Sequence, residues 1–323
     1  MTSGSAVESR VDGEAFVMDP KARVRYLVVS VVLAGSIFAP AGAAQAAPPP
    51  SPTPCTGTSC WRPALASRWQ YQLQGVAAYA STGGINVNIS GVPFTGGAAV
   101  RPSVFDIDLY VDPAIAGNNT TINTAALSAI HANGGRAICY LSAGTYEPWR
   151  ADAASFPDSL KGRAVGGFKD ERWLDIRQTS VLLPIMDARV TKCRQGGFDG
   201  VEWDNVDAYS NRSGFPLTAA DQLFYNASLA NLAHSHGLTV ALKNDVEQLV
   251  DLAPYFDYAI NEQCQQYSEC GGYTTSFVGQ GKAVFQVEYK LSFSKFCPQA
   301  NAENRNAIKK TYDLFDTPWT ACR

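Results

Sequence analysis

Seven short apolar segments recur along the chain, at residues 68–73, 104–111, 137–143, 200–205, 238–245, 258–262 and 283–289. Longer stretches of helical spacing lie between most of them. Three of these stretches, 125–133, 181–194 and 219–236, run into glycine at Gly134-Gly135, Gly196-Gly197 and Gly237. Glycine enters the left-handed region without a Cβ penalty and so ends helices cleanly. Strands that alternate with glycine-stopped helices predict βα units around a parallel sheet. An eighth strand is expected within 314–319, or as a shorter piece. Residues 83–97, rich in Gly, Asn, Ser and Val, read as a surface loop or hairpin inserted after the first strand.

The acids within these segments favour a single-domain α/β fold closed into a (β/α)8 TIM barrel over an open doubly wound sheet. Asp106 and Asp108 alternate with Phe105, Ile107 and Leu109. Glu202 and Asp204 alternate with Val201 and Trp203, and Asp245, Glu262 and Glu288 end three further segments. Residues two apart on a strand point the same way, so each pair shares a face. In a barrel, the C-terminal ends of all strands converge on one mouth, where active sites lie. Buried carboxylates are costly unless paired or hydrogen-bonded, so packing alone does not explain so many. Any one strand-end acid can instead be a cap or a salt-bridge partner. Asp245, beside Lys243 at the start of a helical stretch, fits that role, and Asp112 and Asp207 read as loop residues.

Paired carboxylates suit the cleavage of a glycosidic bond. One protonates the leaving oxygen, and the other attacks the anomeric carbon or activates water. Aromatic residues in or just after strand ends could stack on sugar rings or fill the core: Trp69, Tyr71, Tyr140, Tyr146, Trp149, Trp203 and Tyr209. Other chemistries lack their signatures. His234 and His236 are spaced i,i+2, which puts their rings on different helix faces. There is no G-x-S-x-G, no H-E-x-x-H and no G-x-G-x-x-G after a strand. No metal and no cofactor are expected.

The N-terminus carries the marks of export. Lys21, Arg23 and Arg25 precede an apolar run at 26–39 and an A-x-A pattern at 44–46, which predicts a secretory signal over 1–46 with Met18 as its natural start. The run is short for a membrane span, which needs about 20 apolar residues, so no membrane contact is expected after cleavage. Residues 47–60 begin AAPPPSPTP and read as an extended proline-rich spacer, with the folded domain over 61–323. The eight cysteines all lie beyond residue 46, and in an exported chain an even count predicts disulfides. Cys55–Cys60 and Cys264–Cys270 close the shortest loops. The signal segment holds four acids and four bases, so the remainder keeps the formal charge of −3. Without a basic run, nucleic-acid binding has no electrostatic support.

Six motifs in order complete the reading. AICYLSAGTYEPWR (137–150), ERWLDIR (171–177), GFDGVEWDNVDAY (197–209), GFPLTAADQLFYN (214–226), LKND (242–245) and AINEQC (259–264) resemble glycoside hydrolase family 114, the endo-α-1,4-polygalactosaminidase-like proteins. The resemblance implies an endo-acting hydrolase of a galactosamine-containing polysaccharide; with the export signal, a secreted monomer is expected. It implies Asp204 as nucleophile on the fourth strand and Glu262 as acid/base on the sixth, by analogy with retaining α-glycosidase barrels. Asp106, Asp108, Tyr140, Glu202, Trp203, Lys243, Asn244, Asp245 and Glu288 are the expected substrate-binding set. Its acids form a ring suited to a polymer that carries free ammonium groups. Trp203 stands where the family pattern has proline, and the 83–97 insert looks longer than usual. The alternatives are another amino-sugar or α-galactoside polymer, or a carbohydrate-binding barrel without turnover.

Overall fold

The computed structural model describes residues 47–57 and 60–323. The signal expected over 1–46 lies outside these residues. Eight parallel strands follow one another around a curled sheet: β1 Trp69–Gln72, β2 Val104–Asp108, β3 Arg136–Ser142, β4 Gly200–Asp204, β5 Thr239–Lys243, β6 Tyr258–Glu262, β7 Val284–Glu288 and β8 Asn306–Lys309. Each pairs in parallel with the next, from β1 to β8. The strand ladder stays open between β8 and β1, where individual hydrogen bonds bridge the seam. Trp69 Nε1 donates to the Asn306 carbonyl at 2.8 Å, Trp319 Nε1 to the Trp69 carbonyl at 2.9 Å, and Lys310 Nζ to Gln70 Oε1 at 3.1 Å. The protein is a TIM barrel sealed at that seam by side chains.

The eighth strand is thus 306–309, and not within 314–319. Its sequence, NAIK, has only two apolar residues, too few to show a period. Residues 314–319 are instead irregular, with Leu314 at φ 51°, and lead to a short strand, Thr320–Ala321, antiparallel to β8.

The main helices are α1 Thr124–Ala132, α2 Thr179–Gly196, α3 Ala219–Ser235, α4 Cys270–Ser276 and α5 Phe293–Ala302. α3 opens with a capping box in which Thr218 and Asp221 satisfy each other's backbone N–H groups. No α-helix follows β1. Residues 83–97 fill that place as a loop that pairs by one bridge, Gly91 to Val100. Ile85, Val87 and Ile89 of this loop are buried in the main core, so it is only partly a surface feature. A small antiparallel sheet, Thr145–Tyr146, Phe168–Leu174 and Lys161–Val165, is inserted between β3 and α2. Its strands are short or rich in charge and carry no clear alternation.

All eight cysteines pair: Cys55–Cys60, Cys139–Cys193, Cys264–Cys270 and Cys297–Cys322. Cys139–Cys193 ties β3 to α2 across a sequence separation of 54, worth about 4 kcal/mol in the chain-entropy account. The proline-rich segment, expected as a free spacer, is tied to the N-terminal end of the barrel. Asn231 of α3 accepts from Thr53 N at 2.7 Å and donates to the Ser51 carbonyl at 2.9 Å, and Tyr255 OH donates to the Pro50 carbonyl at 2.7 Å. His234 bridges the Thr53 carbonyl and Asp257. Among the described residues, no helix is long and apolar enough to cross a membrane.

Candidate active site

Strand alternation decides which side chains reach the mouth. Tyr71 of β1, Asp106 of β2, Tyr140 of β3, Glu202 and Asp204 of β4, Lys243 of β5 and Glu262 of β6 all point inward, because they contact or electrostatically face one another across the barrel. Lys243 stands at the centre with its side chain 1% exposed. Its Nζ lies 2.9 Å from Glu202 Oε1, 3.0 Å from Asp204 Oδ1 and 3.3 Å from Glu262 Oε2, and donates to Tyr71 OH at 3.2 Å. Burial opposes its charge, but the three carboxylates outweigh that and push its pKa well above the usual lysine value.

Asp204 and Glu262 are the carboxylates of this group that solvent reaches, with side chains 18% and 29% exposed. Asp204 is held by three donors. Oδ1 accepts from Lys243 and from Asn205 N at 2.8 Å, and Oδ2 accepts from Tyr140 OH at 2.8 Å. Burial alone would raise its pKa, yet Lys243, Tyr140 and Asn205 together hold it below the usual aspartate value. Tyr289 OH donates to Glu262 Oε1, and the Glu262 backbone N–H donates to Asn244 Oδ1 at 3.0 Å.

The loops after the strands are bent sharply to make this mouth. Asn205, Asn244, Asp245 and Gln263, all just past β4, β5 and β6, have φ between 49° and 64°. Asn and Asp tolerate the left-handed region better than other side chains. Gly144 is required by close approach, since a Cβ there would sit 1.6 Å from the Asn205 carbonyl oxygen. The loop after β3 can therefore lie against the loop after β4. It is fixed from outside by Arg189 Nη1 on the Ser142 carbonyl, at 2.7 Å, and Tyr225 OH on the Ala143 carbonyl, at 2.9 Å.

Acidic clusters flank the pair. On one side, Asp207 is raised to about 6 by burial and by the Asp204 charge, and Asp245 to about 8 by burial, Asp207 and Glu247. Asn226 Nδ2 donates to Asp245 Oδ2 at 2.9 Å, so this buried asparagine, one of five N-x-S/T sites in the sequence, is committed to the interior. On the other side, Arg150 forks onto Glu147 with two bonds of 2.9 Å and reaches Asp108 at 2.7 Å. Glu171, from the inserted sheet, is raised to about 7 by burial and by Glu147.

Several expected sugar contacts are displaced by this geometry. Trp203 has the opposite parity to Asp204, is fully buried, and donates from Nε1 to the Leu229 carbonyl of α3 at 3.2 Å. Glu288 is also on the outer face. Phe285 packs on Trp69 and Tyr258 inside the barrel, and Tyr289 reaches Glu262, so the alternate residue Glu288 turns outward to accept from Gln265 N at 2.8 Å. Tyr289, one residue further on, is the inward group at that strand end. Asp106 and Glu202 point inward but are fully buried beneath Lys243. Asp245 is 2% exposed, and Asn244 is engaged with the Glu262 backbone. Tyr140 and Asp108 keep partial access. Tyr289 and the Glu147–Arg150–Glu171 cluster were not singled out from sequence, although EPWR and ERW within the motifs contain the three cluster residues.

Two reachable carboxylates thus share one ammonium at the C-terminal mouth of an eight-stranded barrel, the end at which barrel enzymes carry their active sites. The model of glycoside-hydrolase family GH114 matches residues 51–323, and the chain belongs to that family. Among solved structures it is similar to Aspergillus fumigatus Ega3, determined in complex with galactosamine, at 30% identity and a TM-score of 0.65, over 80% of this chain and 97% of that one. The glycoside hydrolase domain of PelA from Pseudomonas aeruginosa shares the fold at 13% identity and a TM-score of 0.53, over 79% of this chain and 98% of that one. No curated protein sequence matches the chain significantly.

Proposed function

We propose that the protein is a secreted, endo-acting hydrolase that cleaves α-1,4-linked galactosamine polymers with retention, Asp204 acting as nucleophile and Glu262 as acid/base. The observation that carries this reading is the contact of both carboxylates with the one Lys243 ammonium. Those contacts, 3.0 and 3.3 Å, keep Asp204 Oδ1 and Glu262 Oε2 within about 6.3 Å of each other. That bound is compatible with the short carboxyl spacing of retaining enzymes, about 5–5.5 Å. Asp204, held ionised by three donors, attacks the anomeric carbon while protonated Glu262 gives its proton to the leaving oxygen. A glycosyl ester forms and the shortened chain departs. Ionised Glu262 then takes a proton from water, whose oxygen displaces Asp204 and restores both groups.

Galactosamine is the sugar bound by Ega3, and an acid-flanked mouth suits a substrate with free ammonium groups. Four disulfides fit an exported protein. The test is turnover of a purified galactosamine polymer by Asp204→Asn and Glu262→Gln. Each is expected to lose at least about 10²–10⁴-fold in kcat with an unchanged circular dichroism spectrum. Near-normal turnover in either variant would remove that residue from its role, and NMR of the first-formed anomer decides between retention and inversion.

A further inference from the structure

We propose that Asp106 works as a carboxylic acid and not as a carboxylate, and that the proton it donates to Glu202 fixes Glu202 as the anion holding the Lys243 ammonium between Asp204 and Glu262. Three buried oxygens at the floor of the mouth, Asp106 Oδ1 and Oδ2 and Glu202 Oε2, have no donor among the described protein groups. Both residues are 0% exposed, and their carboxyls lie in hydrogen-bonding contact with each other. Two ionised carboxylates can only accept, so such a fully buried pair is stabilised when it shares a proton. Which partner keeps it follows from the other contacts. Glu202 Oε1 receives Lys243 Nζ at 2.9 Å and Tyr71 OH at 3.1 Å, both of which favour its ionised form. Asp106 has no other donor, so the proton stays on Asp106.

The groups that face Asp106 support the same assignment. Glu202 and Asp204 from β4 raise its pKa, Lys243 from β5 opposes them, and burial is larger than any of these, leaving Asp106 well above the usual range. Tyr71 of β1 and Tyr258 of β6, which also face this pair, are raised well above the ordinary tyrosine value, chiefly by burial, so neither supplies a competing anion. If Asp106 were ionised, four carboxylates would share one ammonium. With Asp106 protonated, Glu202 anchors Lys243 from below and leaves Asp204 and Glu262 only part of its charge. Asp106 is a positioning residue, acting on the reacting pair through Glu202 and Lys243.

The kinetic arm of the test rests on Asp204 and Glu262 as the reacting pair, and the spectroscopic arm does not. Infrared difference spectra of wild type minus Asp106→Asn, taken on the free enzyme at neutral pH, should show a carboxylic acid carbonyl band lost in the variant. Asparagine still donates to Glu202, so Asp106→Asn should lose less than about tenfold in kcat, and Asp106→Leu, which donates nothing, about 10²-fold. In Asp106→Leu, Glu202 takes up the proton itself, and Lys243 then bears more fully on Glu262. The basic limb of the kcat/KM profile should therefore move about one unit to lower pH in Leu and stay in place in Asn. If no carbonyl band is lost in Asp106→Asn, or if Asn is as damaging as Leu with the same pH profile, the proposal is overturned. Should Asp106→Leu fail to fold, the band and the Asn profile decide alone. Retained turnover in Asp204→Asn would instead sink the assignment of the reacting pair and leave the band result standing.

Discussion

Replacing Lys243 with methionine would separate its charge from its bulk. Asp204 lies below the usual aspartate range because Lys243, Tyr140 and Asn205 together outweigh burial. Without the ammonium, the Asp204 pKa rises, so the acid limb of kcat/KM should shift to higher pH. Glu202 and Asp204 would also be left without a counter-charge in the interior, a loss of about 3–5 kcal/mol of stability. An unmoved acid limb in the methionine variant would refute this account. Asp245 offers the opposite sign. Its folded value of about 8 lies above that of an unfolded carboxyl, about 3.9. The folded state therefore binds the extra proton between those values, and Asp245 lowers stability progressively as pH rises from about 4 to 8. Asp245→Asn should gain melting temperature over wild type by an amount that grows across this window. A difference between the two melting curves that does not change with pH would count against it.

At the scale of a strand, parity assigns each side chain to the mouth or to the helices. Trp203, between the inward Glu202 and Asp204, faces α3 and is fully buried. Trp203→Ala should cost about 3–5 kcal/mol in denaturant unfolding and leave KM close to wild type, because the cavity opens under α3. A large rise in KM at unchanged stability would mean that Trp203 meets substrate after all. The same rule places Glu288 outside and Tyr289 inside. The period-two pattern on β2 and β4 was readable directly, since charged and apolar residues alternate there. On β7 the sequence VFQVE puts Phe285 and Val287 on one face and Gln286 and Glu288 on the other, so by pattern alone the polar face reads as the mouth. Only contacts with Trp69, Tyr258 and Gln265 show which parity is inward. The place of β8 is not legible for a different reason, since four residues with two apolar side chains carry no period.

Seen whole, the molecule has one charged end and one strapped end. Asp108, Glu147, Asp204, Asp207, Glu247 and Glu262 surround or approach the mouth against Arg150 and Lys243, while Glu171 and Asp245, raised to about 7 and about 8, carry only part of a charge at neutral pH. The field from such a mouth attracts a cationic chain and is screened over about 10 Å at 0.1 M salt. KM for a galactosamine polymer should therefore rise severalfold between 0.02 and about 0.3 M NaCl, with kcat less affected. For the fully N-acetylated polymer it should stay nearly flat. Equal salt dependence for the two polymers would remove charge recognition from the account.

By itself the sequence determined the alternation of strands and helices, the inward pairs Asp106/Asp108 and Glu202/Asp204, two of the disulfides, and the family, because each is written in local period, loop length or contiguous motif. Tertiary structure alone decided that Lys243 is the hub of the mouth, that Asp106 and Glu202 lie beneath it, and that Glu288 and Trp203 face away. It also decided that residues 50–53 are tied to the barrel's N-terminal end. Those outcomes depend on which side chains meet across the barrel from strands distant in sequence. Burial and counter-charge, which set the protonation of every acid in the mouth, exist only once those strands have closed.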